Sequence, residues 1–289
     1  MSAYEKVTVI IPSLNEESNI ENCIRSVLWA NEIILADGNS TDHTVEIALK
    51  YGAKILNYVP AGYADPIRQN AVGHAKNDWI LFLDADEMIP PLLAQKIVKI
   101  VRENIYDIVY IPRENYFLGA ILASAGWGAN QDILPRLFRK GSMSFDNQIH
   151  AFDHPNENSK KIYLNVEPFS SIIHFNYLSL EHFLDKLNKY TTIGSKLRFD
   201  KKKKVTNKKI LIDIFYEFYM RYFKLRGYRN GIRGFVMSAM MSFYRLAEDY
   251  KLYLNWQTNS ENVAEAVKTI YSKIANEIIE EYSHTHGFT

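Results

Sequence analysis

The sequence predicts an α/β chain: a mostly parallel sheet flanked by helices, followed by a helical C-terminal region. Three observations predict it. Strand and helix signals alternate through the first hundred residues, the strand signals are continuous apolar runs rather than one-faced alternations, and polar residues follow the strand ends. With 289 residues, 47% of them hydrophobic, the chain can bury a sizeable core and is too apolar to be disordered.

Each element has a local reason. Residues 7–11 are a β-branched run ended by Pro12. Ser18-Asn19-Ile20-Glu21 has the form of a capping box, and Ile20, Ile24, Val27 and Leu28 follow at helical spacing. Residues 32–36 read as a second buried strand, followed by the turn Asp37-Gly38-Asn39-Ser40-Thr41-Asp42 and a helix carrying Val45, Ala48 and Leu49. A third strand is expected at 53–59, a helix at 66–75, the apolar strand Trp79-Ile80-Leu81-Phe82-Leu83, and a helix at 92–104. Residues 108–117 read as a strand and 136–145 as a hairpin turning at Gly141. From Leu180 onward the signals are helical, broken by Lys201 to Lys204 and by Gly227 to Gly234, and the last helix, about 262–282, is amphipathic. This divides the chain into a sheet domain, residues 1–178, and a helical region, residues 179–289.

The balance of 34 Lys+Arg against 33 Asp+Glu hides an asymmetry. Residues 1–100 carry 8 basic and 13 acidic side chains, net −5; residues 186–233 carry 15 and 3, net +12. Cys23 is the single cysteine, which excludes an intrachain disulfide and a cysteine-based zinc site, and fits a reducing compartment. The first residues lack the layout of a signal peptide, and no run reaches the roughly 18 apolar residues of a spanning helix. The expected location is cytoplasmic, peripheral on the inner face of the cytoplasmic membrane.

In an open parallel sheet, ligands bind beyond the carboxyl ends of the strands, where the strand order switches. Three polar clusters converge there: Ser13 to Glu16, Asp37-Gly38, and Asp84-Ala85-Asp86. Two carboxylates one residue apart at the end of a buried strand can reach a hard divalent cation, Mn²⁺ or Mg²⁺, that leaves positions open for phosphate oxygens. About one Asp-x-Asp is expected by chance in a chain this long, so position rather than the motif carries this reading against a solvated loop. Asp37 suits a ribose or base contact, or equally an Asp-Gly turn. Arg68 offers a fork of donors to a phosphate, or is a surface helix arginine. His150 is a candidate ligand in Gln148-Ile149-His150, although a lone histidine is more often structural; His174 reads as packed or hydrogen-bonded. Neither a Gly-x-Gly-x-x-Gly after the first strand nor a P-loop is present, which speaks against dinucleotide oxidoreductases and P-loop NTPases.

The lysine run at 201–209 adjoins Phe215, Tyr216, Phe218, Tyr219, Tyr222 and Phe223. Rings beside cations suit an anionic membrane surface; nucleic acid is the rival partner and the less favoured one.

Together these residues resemble a family 2 glycosyltransferase of the GT-A (Rossmann-like) fold. Residues 7–16 resemble its opening strand, 37–42 its second-strand turn and 79–87 its metal motif. Gly126-Trp127, residues 132–139, 148–150, 183–190 and 231–235 resemble the bacterial branch that acts on lipopolysaccharide core and related surface glycans. The resemblance implies inverting transfer from a nucleoside diphosphate sugar, by family habit a UDP-sugar, to a lipid-linked saccharide acceptor. It implies that Pro12, Ser13, Asn15, Glu16 and Asp37 line the nucleotide pocket, with Asp84 near the ribose and Asp86 on the metal. The family histidine matched by His150 is usually followed by Glu, where this chain has Ala151. Asp132 matches a recurrent acidic position and becomes the candidate base, with Asp146 and Asp153 as fallbacks. A non-catalytic sugar-nucleotide-binding protein and a nucleotidyltransferase are the rival classes.

Overall fold

The computed structural model describes residues 5–58, 65–144 and 154–286. In chain order the first part runs β1 (Glu5–Ser13), α1 (Ile20–Arg25), β2 (Ala30–Asp37), α2 (Thr44–Lys50), β3 (Lys54–Asn57), α3 (Asp65–His74), β4 (Trp79–Phe82), β5 (Glu87–Met88) and α4 (Pro91–Glu103). It continues with β6 (Ile108–Phe117), β7 (Ala120–Ile121), β8 (Ile133–Arg139), β9 (Met143–Ser144), β10 (His154–Pro155), β11 (Lys161–Tyr163) and β12 (Ile172–Tyr177). The helices α5 (Leu180–Asp200), α6 (Asn207–Tyr219), α7 (Gly231–Thr258) and α8 (Val263–His286) follow.

The main sheet has the order β3-β2-β1-β4-β8-β6-β12-β5, with β7 and β11 paired to β6. The strands β3, β2, β1 and β4 are parallel. The chain therefore builds outward from β1 to β3, then returns to the other side of β1 as β4, so the order reverses between those two strands. Both faces are covered. Val7, Val9, Ile11, Leu35, Leu81 and Leu83 pack with Ile20, Ile24, Ala48, Leu93 and Ile97, from the loop-helix segments on one side. Ile10, Ile34, Ala36, Ile80, Phe82 and Phe138 pack with Ala71 and Ala75 on the other. Burial on two faces is why these strands carry unbroken apolar runs.

Beyond β4 the sheet becomes mixed: β8 runs antiparallel to both β4 and β6, and β12 runs parallel to β6 and antiparallel to β5. The register of β8 slips against β6, where Val109 faces Leu137 and Tyr110 faces Pro135. Arg136 is the extra residue, and Arg136, Leu137 and Phe138 are buried in succession instead of alternating.

Two local expectations are corrected. The capping box does not form: Asn19 occupies the N-cap of α1 without a side-chain cap, the Glu16 carbonyl accepts the N–H groups of Asn19 and Ile20, and the helix ends at Arg25, short of Val27 and Leu28. The hairpin at Gly141 does not form either. Gly141 has φ +79°, but β9 pairs with β10 and β8 is already paired on both edges, so no edge of β8 is left for a hairpin partner.

The chain divides into two compact units, Met1–Leu180 with Leu225–Phe235, and Glu181–Lys224 with Val236–Thr289. In the second unit Val205, Ile210 and Leu252 form a small core with Phe199 and Trp256. Arg198 Nη1 reaches Asp249 Oδ1 at 2.5 Å and Glu248 Oε1 at 3.2 Å. The lysine run separates α5 from α6 as expected, and the Thr206 hydroxyl caps α6 by accepting the Lys209 N–H at 3.2 Å. Among the described residues no helix is long and apolar enough to cross a membrane.

Phe82 is fully buried, edge-on to Phe138 with ring centroids 5.0 Å apart. Phe82→Ala is expected to cost about 3–5 kcal/mol through the cavity it leaves, read from the midpoint of urea unfolding at unchanged slope.

Candidate active site

The loops at the carboxyl ends of β1 and β2 are laced together. Ser13 lies opposite Asp37 in register, and Pro12 opposite Ala36. Asn15 takes the left-handed conformation (φ 56°), so that its N–H donates to Ser40 Oγ at 2.9 Å and its Oδ1 accepts the Thr41 N–H at 2.8 Å. The Glu16 N–H donates to Thr44 Oγ1 at 2.7 Å, and Glu16 Oε2 accepts from Asn19 Nδ2 at 2.8 Å. Asp37 is buried, and Ser40 satisfies both its oxygens, through the hydroxyl at 2.6 Å and the N–H at 3.0 Å. The nearby Tyr58 phenol is raised above its ordinary value by burial and by Asp37. The buried Ser13 hydroxyl has no hydrogen-bond partner among the described residues. Four of the nucleotide-pocket candidates thus form one rim, with Pro12 beneath. Arg68 lies on α3, but its side chain is outside the described residues, as are His150, Asp146 and Asp153.

The acidic motif after β4 is not a free pair of carboxylates. Asp84 accepts from Arg136 Nη2 at 2.9 Å. The same nitrogen donates to Glu87 Oε1 at 2.8 Å, which also accepts from Arg113 Nη1 at 3.0 Å. Glu87 is wholly buried, and its other oxygen accepts the Asp84 N–H at 2.9 Å, fixing the turn. Arg113 Nε in turn donates to Asp132 Oδ2 at 2.9 Å. Burial works to lower both guanidinium values, but the carboxylates outweigh it and hold both arginines above their ordinary value. Cys23 donates its buried thiol to the Asp84 carbonyl at 3.5 Å; burial, then Glu87, Asp86 and Asp84, push the thiol up, so it stays protonated.

Asp86 faces elsewhere. Its Oδ2 lies 3.5 Å from His174 Nε2, and both side chains are largely buried. Strand register builds this, since His174 on β12 sits between Glu87 on β5 and Asn115 on β6. His174 Nδ1 lies 2.6 Å from Asn115 Oδ1, while Asn115 Nδ2 donates to Asp132 Oδ2 at 2.7 Å and to the Trp127 carbonyl at 2.9 Å. An amide oxygen only accepts, so Nδ1 carries the proton and Nε2 is directed at Asp86. Asp132 therefore lies at the middle of a continuous polar chain that runs from Asp84 through Arg136, Glu87 and Arg113 to Asp132, and on through Asn115 and His174 to Asp86.

Asp84, Asp86, Glu87 and Asp132 share this network with Arg113 and Arg136, and Asp86 sets a carboxylate beside an imidazole, a pair of donors that could hold a divalent cation. Among the described residues no three potential ligands group into a metal site. The structure joins Asp84, Asp86 and Asp132 in one network, holds His174 buried and hydrogen-bonded as the sequence suggested, and adds Arg113 and Asn115, which sequence reasoning did not single out. Their one signal was polar residues late in strands that are otherwise apolar.

Comparison with known proteins gives a consistent family. The sequence pattern described as "Glycosyl transferase family 2" matches residues 8–156. An uncharacterised glycosyltransferase of Rickettsia bellii is 30% identical over 281 residues, covering 92% of each chain. The lipopolysaccharide core biosynthesis glycosyltransferase LpsC of Rhizobium meliloti is 25% identical over 255 residues, covering 86% of this chain and 92% of that one. Among solved structures, glucosyl-3-phosphoglycerate synthase of Mycobacterium tuberculosis, in complex with Mn²⁺, UDP and glucosyl-3-phosphoglycerate, aligns with a TM-score of 0.33 and 24% identity. That alignment covers 39% of this chain and 44% of the synthase, too distant a likeness to bear on function.

Glu87→Gln removes the charge that two buried guanidiniums share. It is expected to cost about 3–5 kcal/mol, measured by denaturant unfolding, because the arginines remain. A loss within the ±0.5 kcal/mol of an ordinary surface change would show that Glu87 is not their counter-charge.

Proposed function

The chain belongs to glycosyl transferase family 2, and from that premise we propose that it moves a sugar, with inversion, from a UDP-sugar to a lipid-linked saccharide during synthesis of a bacterial surface glycan such as lipopolysaccharide. The glycan assignment is supported by the Rhizobium relative, a lipopolysaccharide core biosynthesis glycosyltransferase, and the lipid-linked acceptor by the composition of the helical region. The single observation that carries the catalytic reading is the polar network after β4, in which Asp86 lies beside His174 and Asp132 is joined to Asp84 through Arg113, Glu87 and Arg136.

The nucleotide lies against Pro12, Ser13, Asn15, Glu16 and Asp37, with Asp84 near the ribose and Arg68 toward the phosphates. The laced loops give this rim its rigidity, so little ordering is required when the donor binds. Asp86 holds the cation, with His174 the imidazole brought beside it; His150 is the further ligand expected from the sequence. Asn115 fixes the His174 ring through Nδ1 and so sets the direction of Nε2, the usual task of a group behind a metal ligand. A bound Mn²⁺ or Mg²⁺ supplies Lewis-acid stabilisation of the departing diphosphate.

Asp132 is the base. Arg113 and Asn115 hold its Oδ2, leaving Oδ1 for the acceptor hydroxyl. The hydroxyl proton passes to Oδ1, the acceptor oxygen bonds to the anomeric carbon from the face opposite the diphosphate, and the bond to the diphosphate breaks with its electron pair leaving on the phosphate oxygen.

The enzyme meets its lipid-linked acceptor at an anionic membrane. Lys201 to Lys204 are exposed, as are Phe215, Tyr216, Tyr219 and Phe223. Rings at headgroup depth and cations on anionic lipid hold such a surface, each basic residue contributing about 1 kcal/mol.

A panel of nucleoside diphosphate sugars, assayed with lipid-linked saccharide acceptors and with and without Mn²⁺, tests the reaction; hydrolysis or transfer from none would refute it. Asp86→Ala and His174→Ala should each remove the Mn²⁺-dependent part of the thermal stabilisation by UDP. Asp132→Asn should lower kcat by about 10²–10⁴-fold while leaving that stabilisation in place; a near-normal kcat would move the base elsewhere. Replacing Lys201 to Lys204 by Gln should release the protein from anionic vesicles, and unchanged co-sedimentation would remove the membrane contact.

A further inference from the structure

The helix α8 is exposed along nearly its whole length, yet it is not polar all round. At 3.6 residues per turn, Val267, Ile270, Tyr271, Ile274, Ile278 and Tyr282 fall within an arc of about 120°. Five of these six are exposed, from 47% at Ile274 to 66% at Tyr271. A helix face of this kind is stable in water only when something covers it, because its helicity depends on burying that stripe.

Charge decides between the occupants. From Val263 to Lys273 the helix carries Glu265, Lys268 and Lys273, net +1; from Ile274 onward it carries Glu277, Glu280 and Glu281, net −3. The helix is acidic in total, so an anionic leaflet repels it, in contrast to the basic region around α6. A second α8 running in the opposite direction sets the positive half of each helix against the negative half of the other. A parallel pair would stack the two acidic halves.

We propose that α8 is a self-association surface, on which two copies of this chain pair as antiparallel helices centred on Ile274. In that register Ile274 meets its own counterpart, Ile270 meets Ile278 of the other copy, and Lys273 comes within reach of Glu277 of the other copy on the same flank. The reciprocal pair repeats this contact, as two-fold symmetry requires. The stripe offers on the order of 600 Å² of apolar surface per copy, about 1,200 Å² in all, the lower edge of what a specific association buries. The pairing is therefore a reversible dimer.

Sedimentation equilibrium on the full chain tests it, because mass is read directly. The wild-type protein is expected to move from monomer to twice the chain mass as concentration rises through the micromolar range. Ile274→Glu is expected to remain monomeric with an unchanged circular dichroism spectrum, since the side chain is exposed in the single chain. Lys273→Glu should weaken the dimer and Lys273→Glu with Glu277→Lys should restore it. Under mild oxidation Ile274→Cys should cross-link two copies while Ile270→Cys should not, because position 270 faces 278; the native Cys23 is buried and does not compete. A wild-type chain that stays monomeric at every concentration overturns the proposal. Equal cross-linking at 270 and 274 overturns the antiparallel register. Loss of vesicle binding in Ile274→Glu, with no change of mass, assigns the stripe to the membrane instead.

Discussion

The site depends on one buried carboxylate. Glu87 has no exposure to solvent, and a charge in that position is tolerated only with partners that neutralise it and hydrogen bonds that complete it. Arg136 from β8 and Arg113 from β6 supply the charge, and the Asp84 N–H supplies the bond to the second oxygen. Without Glu87 the turn after β4 would lose the side-chain acceptor that holds the Asp84 N–H.

The two carboxylates of the three-residue motif after β4 have different surroundings. Asp84 is drawn to Arg136, while Asp86 faces His174 on the neighbouring strand. The same network reaches Asp132 through Arg113 and Asn115, so a carboxylate on the loop before β8 is positioned by strands that also fix the His174 imidazole. The parts are held at fixed distances by sheet register, which positions side chains more tightly than loops do.

The helical unit follows a different logic. It holds a small apolar core and ion pairs such as Arg198 with Asp249, and much of its remaining surface is aromatic, basic or, along α8, aliphatic. These surfaces differ in charge, basic near α6 and acidic on α8, which is the physical ground for assigning them different partners.

The amino-acid sequence by itself determined the α/β architecture and pointed to a candidate site. Buried strands must be continuously apolar, and the polar residues that end them mark the rim of the sheet, so Ser13, Asn15, Asp37, Asp84 and Asp86 could be proposed from pattern and position, and Asp132 from the family resemblance. Local chemistry was a poorer guide at Ser18 and Gly141, where a capping box and a hairpin were each outcompeted: the Glu16 carbonyl took the N–H groups at the start of α1, and β4 and β6 took both edges of β8. Only the tertiary structure decided the partners of each charge. Arg113, Asn115, Arg136 and His174 come from three strands far apart in sequence, and a bulge at Arg136 turns its side chain inward. No spacing rule encodes that meeting, because cross-strand register is set by the packing of the whole sheet, whereas burial and periodicity are written residue by residue along the chain.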